Sequence, residues 1–167
     1  INLKANFKYN DVSEISFDVP EKILVNNEWV TNECFDELRG MRTIFMEPFG
    51  VFILVDPSIS DDGITRSKSC TGYSLEYELN YKIMPALDGT YMFYDPTGLN
   101  ENTMMSIIMD EIPNWSVGHV DTTVATRYRT FDTSADSLYS CISNTLQDSY
   151  GCVFLYDTRR RQIHVYD

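Results

Sequence analysis

Between residues 132 and 151 the apolar side chains fall on one helical stripe, and together with the segment after it this stripe leaves the chain few ways to fold. Ala135, Leu138, Tyr139, Ile142, Leu146 and Tyr150 recur at spacings of three or four. That spacing places them on one face of an amphipathic helix. Asp132, Thr133 and Ser134 precede the stripe. Each carries a short side-chain oxygen able to accept a free backbone N–H of the first turn. Gly151 ends the stripe, where a left-handed residue is needed. Two strand-like runs come next, Cys152 to Tyr156 and Gln162 to Tyr166, joined by the polar stretch Asp157 to Arg161. This length and polarity predict a hairpin. The expected unit, residues 115–167, is a helix packed on a β-ribbon.

The chain before it reads mainly as β. Leu3, Ala5, Phe7 and Tyr9 alternate with polar residues, Asn10 and Asp11 signal a turn, and Ile15, Phe17 and Val19 alternate again up to Pro20. Such alternation predicts strands with one wet face. Trp29 and Val30 suit a short strand. Residues 32–38 suit a helical turn with Cys34, Phe35 and Leu38 inward and Gly40 as its stop. Met41 to Met46 leads through Pro48 and Gly50 into the fully apolar run Val51 to Val55, expected to be central and to close at Asp56 and Pro57. Asp61, Asp62 and Gly63 read as an ordinary turn, because their spacing does not match an EF-hand loop.

From Ile64 to Tyr81 the alternation is longest. Cys70, Gly72, Ser74, Glu76, Glu78 and Asn80 share one parity; Thr71, Tyr73, Leu75, Tyr77, Leu79 and Tyr81 share the other. A long amphipathic strand is expected, with helix as a rival for Leu75 to Leu79. A loop at 85–89, a short strand from Tyr91 to Tyr94 and a turn at 95–98 come after it. Met104, Met105, Ile107, Ile108 and Ile112 then form the apolar face of a helix from Asn100 to Pro113, capped by Asn100 or Asn102. The expected class is α+β, mainly β, with at least two packed helices. The division is set at residues 1–90, a mainly β subdomain whose N-terminus is incomplete, and residues 91–167, the helix-plus-ribbon subdomain. A chain that begins at Ile1 without Met and closes in a strand-like run is expected to be part of a longer protein.

Composition narrows function mostly by exclusion. Thirteen basic residues against 25 acidic give a net charge of −12, which disfavours nucleic-acid binding, since phosphate contacts rest on Lys and Arg. The one basic cluster, Arg159, Arg160 and Arg161, sits at the expected hairpin tip. It is the candidate contact for an acidic neighbouring subunit, or else a solvated turn. No apolar run approaches the roughly 18 residues of a membrane-spanning helix. Cys34, Cys70, Cys141 and Cys152 form no CxxC pair, so they are read as free, buried thiols in a reducing compartment rather than a zinc or redox site. His119 and His164 are read as structural. No hydrolase, zinc-protease, phosphate-loop or dinucleotide motif is present. The residues thus give no catalytic, cofactor or metal site.

Trp115, Ser116, Val117, Gly118, His119, Val120 and Asp121, followed by Arg129, Thr130, Phe131 and Asp132, resemble the tail-tip hub family of siphophages and prophages of Gram-positive bacteria. Its members are often called phage minor structural, tail-associated lysin or prophage endopeptidase tail proteins. The likeness continues through 140–151, 152–158 and 163–166. In the front half it is carried by the run from Asp11 to Pro20, by Arg42 with Phe49 to Ile53, and by Lys68 with Ser74 to Leu79. The resemblance implies a baseplate-hub-like fold of two β-barrel-like subdomains assembled as a homotrimer about the tail axis. It implies a virion structural protein of the tail, assembled in the bacterial cytoplasm, that caps the tube beneath the distal tail protein. Tape-measure protein and DNA would pass through the channel without specific binding, and host attachment would follow. It implies no enzyme here, with any peptidoglycan hydrolase in a C-terminal region outside residues 1–167. The rival readings are a cell-wall hydrolase or peptidase within this domain, and a stand-alone surface-binding module.

Overall fold

A computed structural model describes residues 3–8 and 11–167; Tyr9 and Asn10 of the expected first strand and turn lie outside the described residues. Contacts divide the chain into two compact units, Ile1–Leu75 and Glu76–Asp167. The break precedes residue 90 because the strand Leu87–Met92 pairs with Tyr128–Thr133, which ties residues 87–92 to the C-terminal unit. The class is α+β and mainly β, but none of the sheets closes into a barrel among the described residues.

The first unit contains β1 (Lys4–Asn6), β2 (Glu14–Pro20), β3 (Lys22–Val25), β4 (Glu28–Thr31), α1 (Cys34–Glu37), β5 (Thr43–Met46), β6 (Gly50–Asp61) and β7 (Arg66–Ser74). A five-stranded antiparallel sheet runs in the order β1-β2-β7-β6-β5. The apolar run in β6 is interior, as its composition predicts, yet it does not close at Asp56. Asp56 takes φ 39° and the register shifts between Val55 and Ser58, after which pairing resumes to Asp61 opposite Arg66. The Asp–Pro step is a β-bulge rather than a terminus.

The middle strand, β7, turns its small residues to the core. Cys70, Gly72 and Ser74 share the buried face with Ile15, Phe52 and Leu54 of the flanking strands. Gly72 fits closely there: a Cβ at that position would lie 3.0 Å from Ile15 Cγ1, so the isoleucine would have to give way. Large side chains from both neighbours fill the space that the small ones leave. The strand stops at Ser74. Residues Leu75–Tyr81 wind instead into a 3-10 helix that buries Leu75 and Leu79. A spacing of four fits a strand face and a helix face equally, and here the helical rival prevails.

The second unit contains β8 (Ile83–Met84), β9 (Leu87–Met92), α2 (Met104–Glu111), β10 (Ser116–Val120), α3 (Thr122–Ala125), β11 (Tyr128–Thr133), β12 (Asp136–Ser137), helix α4 over residues 138–150, β13 (Val153–Asp157) and β14 (Gln162–Tyr166). The C-terminal hairpin forms as expected, and β10 joins it in parallel, giving the order β10-β14-β13. The N-caps differ from expectation. Asn100 is drawn into the Asp95 turn, where its N–H donates to Asp95 Oδ2, so Thr103 caps α2 by accepting from Ser106 N at 3.2 Å. Asp132 and Thr133 complete β11 opposite Asp88 and Leu87, so α4 starts later, capped by Ser137.

Helix α4 is α-helical at Leu138–Ser140, π-helical at Cys141–Leu146 and α-helical again at Gln147–Tyr150. Its fully buried positions, Leu138, Ile142, Leu146 and Tyr150, recur every fourth residue. In a helix of about 3.6 residues per turn, such a stripe drifts by about 40° per step. The wider π turn drifts the opposite way, so the mixed helix keeps all four on the core. Tyr150 packs against Phe93 at 4.8 Å and Phe131 at 5.7 Å between ring centres, and its hydroxyl donates to Tyr91 O at 3.0 Å. Gly151 follows at φ 61°. The last carbonyls of the helix are taken by two arginines. Arg127 donates to Tyr150 O and Gly151 O at 2.6 and 2.9 Å, and Arg129 Nε to Ser149 O at 2.6 Å. Cations belong at this end of a helix dipole. Replacing Tyr150 by Phe is expected to cost about 1–2 kcal/mol, because the Tyr91 carbonyl loses its donor. Tyr150→Ala is expected to cost about 3–5 kcal/mol. Urea denaturation of the two variants against wild type measures both.

Candidate functional site

The arginine cluster is only partly on offer. Arg161 takes a left-handed φ of 52° and turns back into its own unit, where its Nη1 donates to Glu78 Oε1 at 2.5 Å. Trp115 Nε1 donates to the same oxygen at 2.5 Å, so Glu78 clamps the start of β10 and the end of the hairpin loop together. Asp157 Oδ1 accepts from the N–H groups of Arg159 and Arg160 at 3.0 and 3.1 Å, which stiffens the tip. The Arg160 side chain, 75% exposed, stays at the surface, 3.9 Å from Asp157. Of the three candidate contacts, Arg159 and Arg160 are exposed and Arg161 is committed within its unit.

Both histidines have local roles. His119 Nε2 lies 2.8 Å from Asp121 Oδ1, and its ring lies over Tyr166 at 5.1 Å. The His119 N–H donates to His164 Nδ1 at 3.0 Å. The His164 ring covers Gly118, where a Cβ would come within 2.6 Å of it. This packing explains a glycine inside β10, and it holds His164 against backbone. Asp121 also accepts from Asp167 N at 2.9 Å, and that bond first, then His119, holds its carboxyl below the ordinary aspartate range. Asp167 is held low chiefly by Arg127, 2.6 Å away, and next by Thr123. Arg127, Asp121, Thr123 and Asp167 thus fasten the end of β14.

The cysteines divide. Cys34 is exposed, which corrects the expectation that all four are buried, because α1 turns Phe35 inward instead. Cys70, Cys141 and Cys152 are buried free thiols. Burial pushes the Cys141 thiol to about 11 and the Cys152 thiol to about 12. A thiol held protonated in this way is a poor nucleophile at neutral pH. Among the described residues no three His, Cys, Asp or Glu side chains are grouped to hold a metal ion.

The surface feature that sequence reading missed lies in the first unit. The β3–β4 hairpin turns through Asn26 and Asn27, both at positive φ, the geometry of a tight two-residue hairpin turn. It forms a separate two-stranded sheet and leaves every residue of both strands exposed. Ile23, Leu24, Val25, Trp29 and Val30 are all in water, Trp29 at 70%. Beside it a groove of about 860 Å³ is lined by Ile23, Leu24, Trp29 and Ile64 and by the charged Glu21, Asp61 and Arg66. The apolar run Ile23 to Val25 and the Asn26–Asn27 pair are the sequence signal for it, beyond the short strand that Trp29 and Val30 suit.

Iodoacetamide at neutral pH is expected to label Cys34 in the folded chain and to spare the other three until denaturant is added; mass spectrometry of the peptides reads the result. The carboxyls of Asp121 and Asp167 are depressed in the folded state. Their stabilising contribution is therefore present above the unfolded-state value and is lost as pH falls through the lower folded value. Asp167→Asn is expected to lower the thermal midpoint at neutral pH and to flatten its fall with acid, followed by circular dichroism from neutral pH downward.

No family model matches the chain, and no curated protein matches it. Solved structures do. Prophage tail protein gp18 from Listeria monocytogenes EGD-e is 15% identical, with a TM-score of 0.62 over 96% of this chain and 42% of that one. The 43 kDa tail protein of prophage MuSo2 from Shewanella oneidensis is 13% identical, with a TM-score of 0.51 over 98% of this chain and 51% of that one. The chain spans about half the length of these proteins or less. Nearly all of it therefore folds like a portion of two prophage tail proteins.

Proposed function

We propose that the chain is a structural component of a phage or prophage tail, the hub portion of a longer tail-tip or baseplate protein. The observation that carries this reading is the fold likeness to two prophage tail proteins over 96% and 98% of the chain. The ordered motifs from Trp115 to Asp132, which resemble the tail-tip hub family, support the finer assignment. In this reading the chain forms a homotrimer beneath the distal tail protein, and tape-measure protein and DNA leave through the channel. With 25 acidic residues against 13 basic, a negative lumen would repel DNA and let it slide. The exposed arginines of the β13–β14 tip, Arg159 and Arg160, would face an acidic neighbouring subunit. The chain contributes no bond-breaking chemistry; its high-pKa buried thiols and its backbone-held histidine fit a scaffold better than a hydrolase.

The reading is tested on purified particles. Mass spectrometry and immunogold labelling of induced or propagated phage are expected to place the chain at the tail tip, and zymography of the chain on Gram-positive cell walls is expected to show no clearing. Absence from tails, or clearing that disappears with Cys152→Ala or Cys141→Ala, would falsify it.

A further inference from the structure

We infer that the break in the β10–β14 ladder is a proton-responsive joint, in which the neutral ring of His164 serves as one rung and acid withdraws it. The parallel pairing sets Ser116 opposite Gln162 and Val117 opposite Ile163, then loses register and resumes with Val120 opposite Val165. Backbone bonds hold both sides of the break. Ser116 N donates to Arg161 O at 2.9 Å, and Asp121 N donates to Val165 O at 3.0 Å. Within the break the His119 N–H donates to a side chain instead, to His164 Nδ1 at 3.0 Å. An imidazole nitrogen that accepts a hydrogen bond carries a lone pair, so this ring is neutral with its proton on Nε2. The ring is also held in place. It lies so close to Gly118 that a Cβ there would come within 2.6 Å of Cε1 and 2.7 Å of Nδ1. Only a glycine admits it against the backbone.

Protonation reverses this contact. Imidazolium donates from both nitrogens, so a protonated Nδ1 meets the His119 N–H donor to donor. The rung is present while the ring is neutral and is lost as pH falls. The groups around the joint act in the same direction. The His119 ring has its Nε2 at 2.8 Å from Asp121 Oδ1 and lies over Tyr166 of β14. Asp121 stays ionised in mild acid, because the Asp167 N–H first and His119 next hold its carboxyl below the ordinary aspartate range. A protonated His119 therefore gains an ion pair with Asp121 as His164 loses its bond. On β13 the residue opposite His164 is Leu155, which brings no charge. Asp167, beyond β14, is paired with Arg127 at 2.6 Å. Among the described residues no carboxylate forms an ion pair with His164. Acid thus moves His119 between partners: its backbone leaves the ladder while its side chain tightens on Asp121. Trp115 on Glu78 and the Ser116–Gln162 pairing keep the start of β10 clamped, so the change is confined to the stretch from Gly118 to Asp121, at the entry to α3. The inference does not depend on the tail reading.

The test is amide-resolved NMR of the full chain between about pH 8 and about pH 5, with hydrogen exchange corrected for its intrinsic pH dependence. Protection of the His119 amide is expected to fall about threefold to tenfold towards the acid end, with the β13–β14 ladder unchanged. His164→Asn sets an amide oxygen that does not titrate near the place of Nδ1, and is expected to keep the protection at both ends of the range. His164→Leu is expected to lack it at both. His119→Gln leaves the backbone bond in place and is expected to keep the pH response. A wild-type amide whose protection ignores pH overturns the joint. So does a response that persists in His164→Asn or disappears in His119→Gln. Wild type and His119→Gln retain the ring on Gly118, so they decide the question even where a change at His164 impairs folding.

Discussion

The second unit depends on the burial of Tyr150. This ring has to reach the core and still satisfy its hydroxyl, and both demands are met in one position, near Phe93 and Phe131 with Tyr91 O as acceptor. An unsatisfied hydroxyl in that place would be costly. The demand fixes the azimuth of α4 at its last turn, while Leu138 fixes it at the first. A regular α-helix cannot meet both, which gives the π segment at Cys141–Leu146 a physical reason. Gly151 and the two arginines then close the helix directly after the anchor.

What could be read in the sequence was the repetitive part of this arrangement. The stripe in α4, its glycine stop and the hairpin after it are local patterns, and they formed where the pattern put them from Leu138 onward; Ala135, expected on the stripe, lies exposed ahead of the helix because β11 and β12 occupy the chain before it. The cap positions were not legible. Asn100 and Asp132 are as good as their neighbours by chemistry, and they were taken by a turn and by a strand ladder formed with residues far along the chain. The ambiguity at Leu75 and Leu79 was intrinsic, since both periods fit. The bulge at Asp56 looked like a terminus because Asp–Pro usually is one. The exposed β3–β4 hairpin was obscured for a different reason. Sequence reading assigns apolar residues to the core, and Trp29 violates that rule.

The basic tip shows the same limit in electrostatics. Three consecutive arginines suggest one patch, but a left-handed residue at the loop end sends the third inward to Glu78. The cluster is thus two things, a strut and a pair of exposed cations. Exposed ion pairs such as Arg160 with Asp157 contribute little to stability. The half-buried junction of Glu78, Trp115 and Arg161 is more consequential, because one carboxylate oxygen serves two donors from separate elements.

Strand order in the C-terminal sheet bears on how the chain is made. The last strand, β14, lies in the middle, parallel to β10 and antiparallel to β13. During synthesis, β10 therefore waits for a partner that emerges more than forty residues later, Val120 pairing with Val165. The first unit has its whole sheet by Ser74 and can fold while the rest is still on the ribosome. In the interval, β10 and the face of α4 are uncovered. The Arg127–Asp167 pair at 2.6 Å joins the link after α3 to the residue after β14, so it too forms only after the partner of β10 is in place.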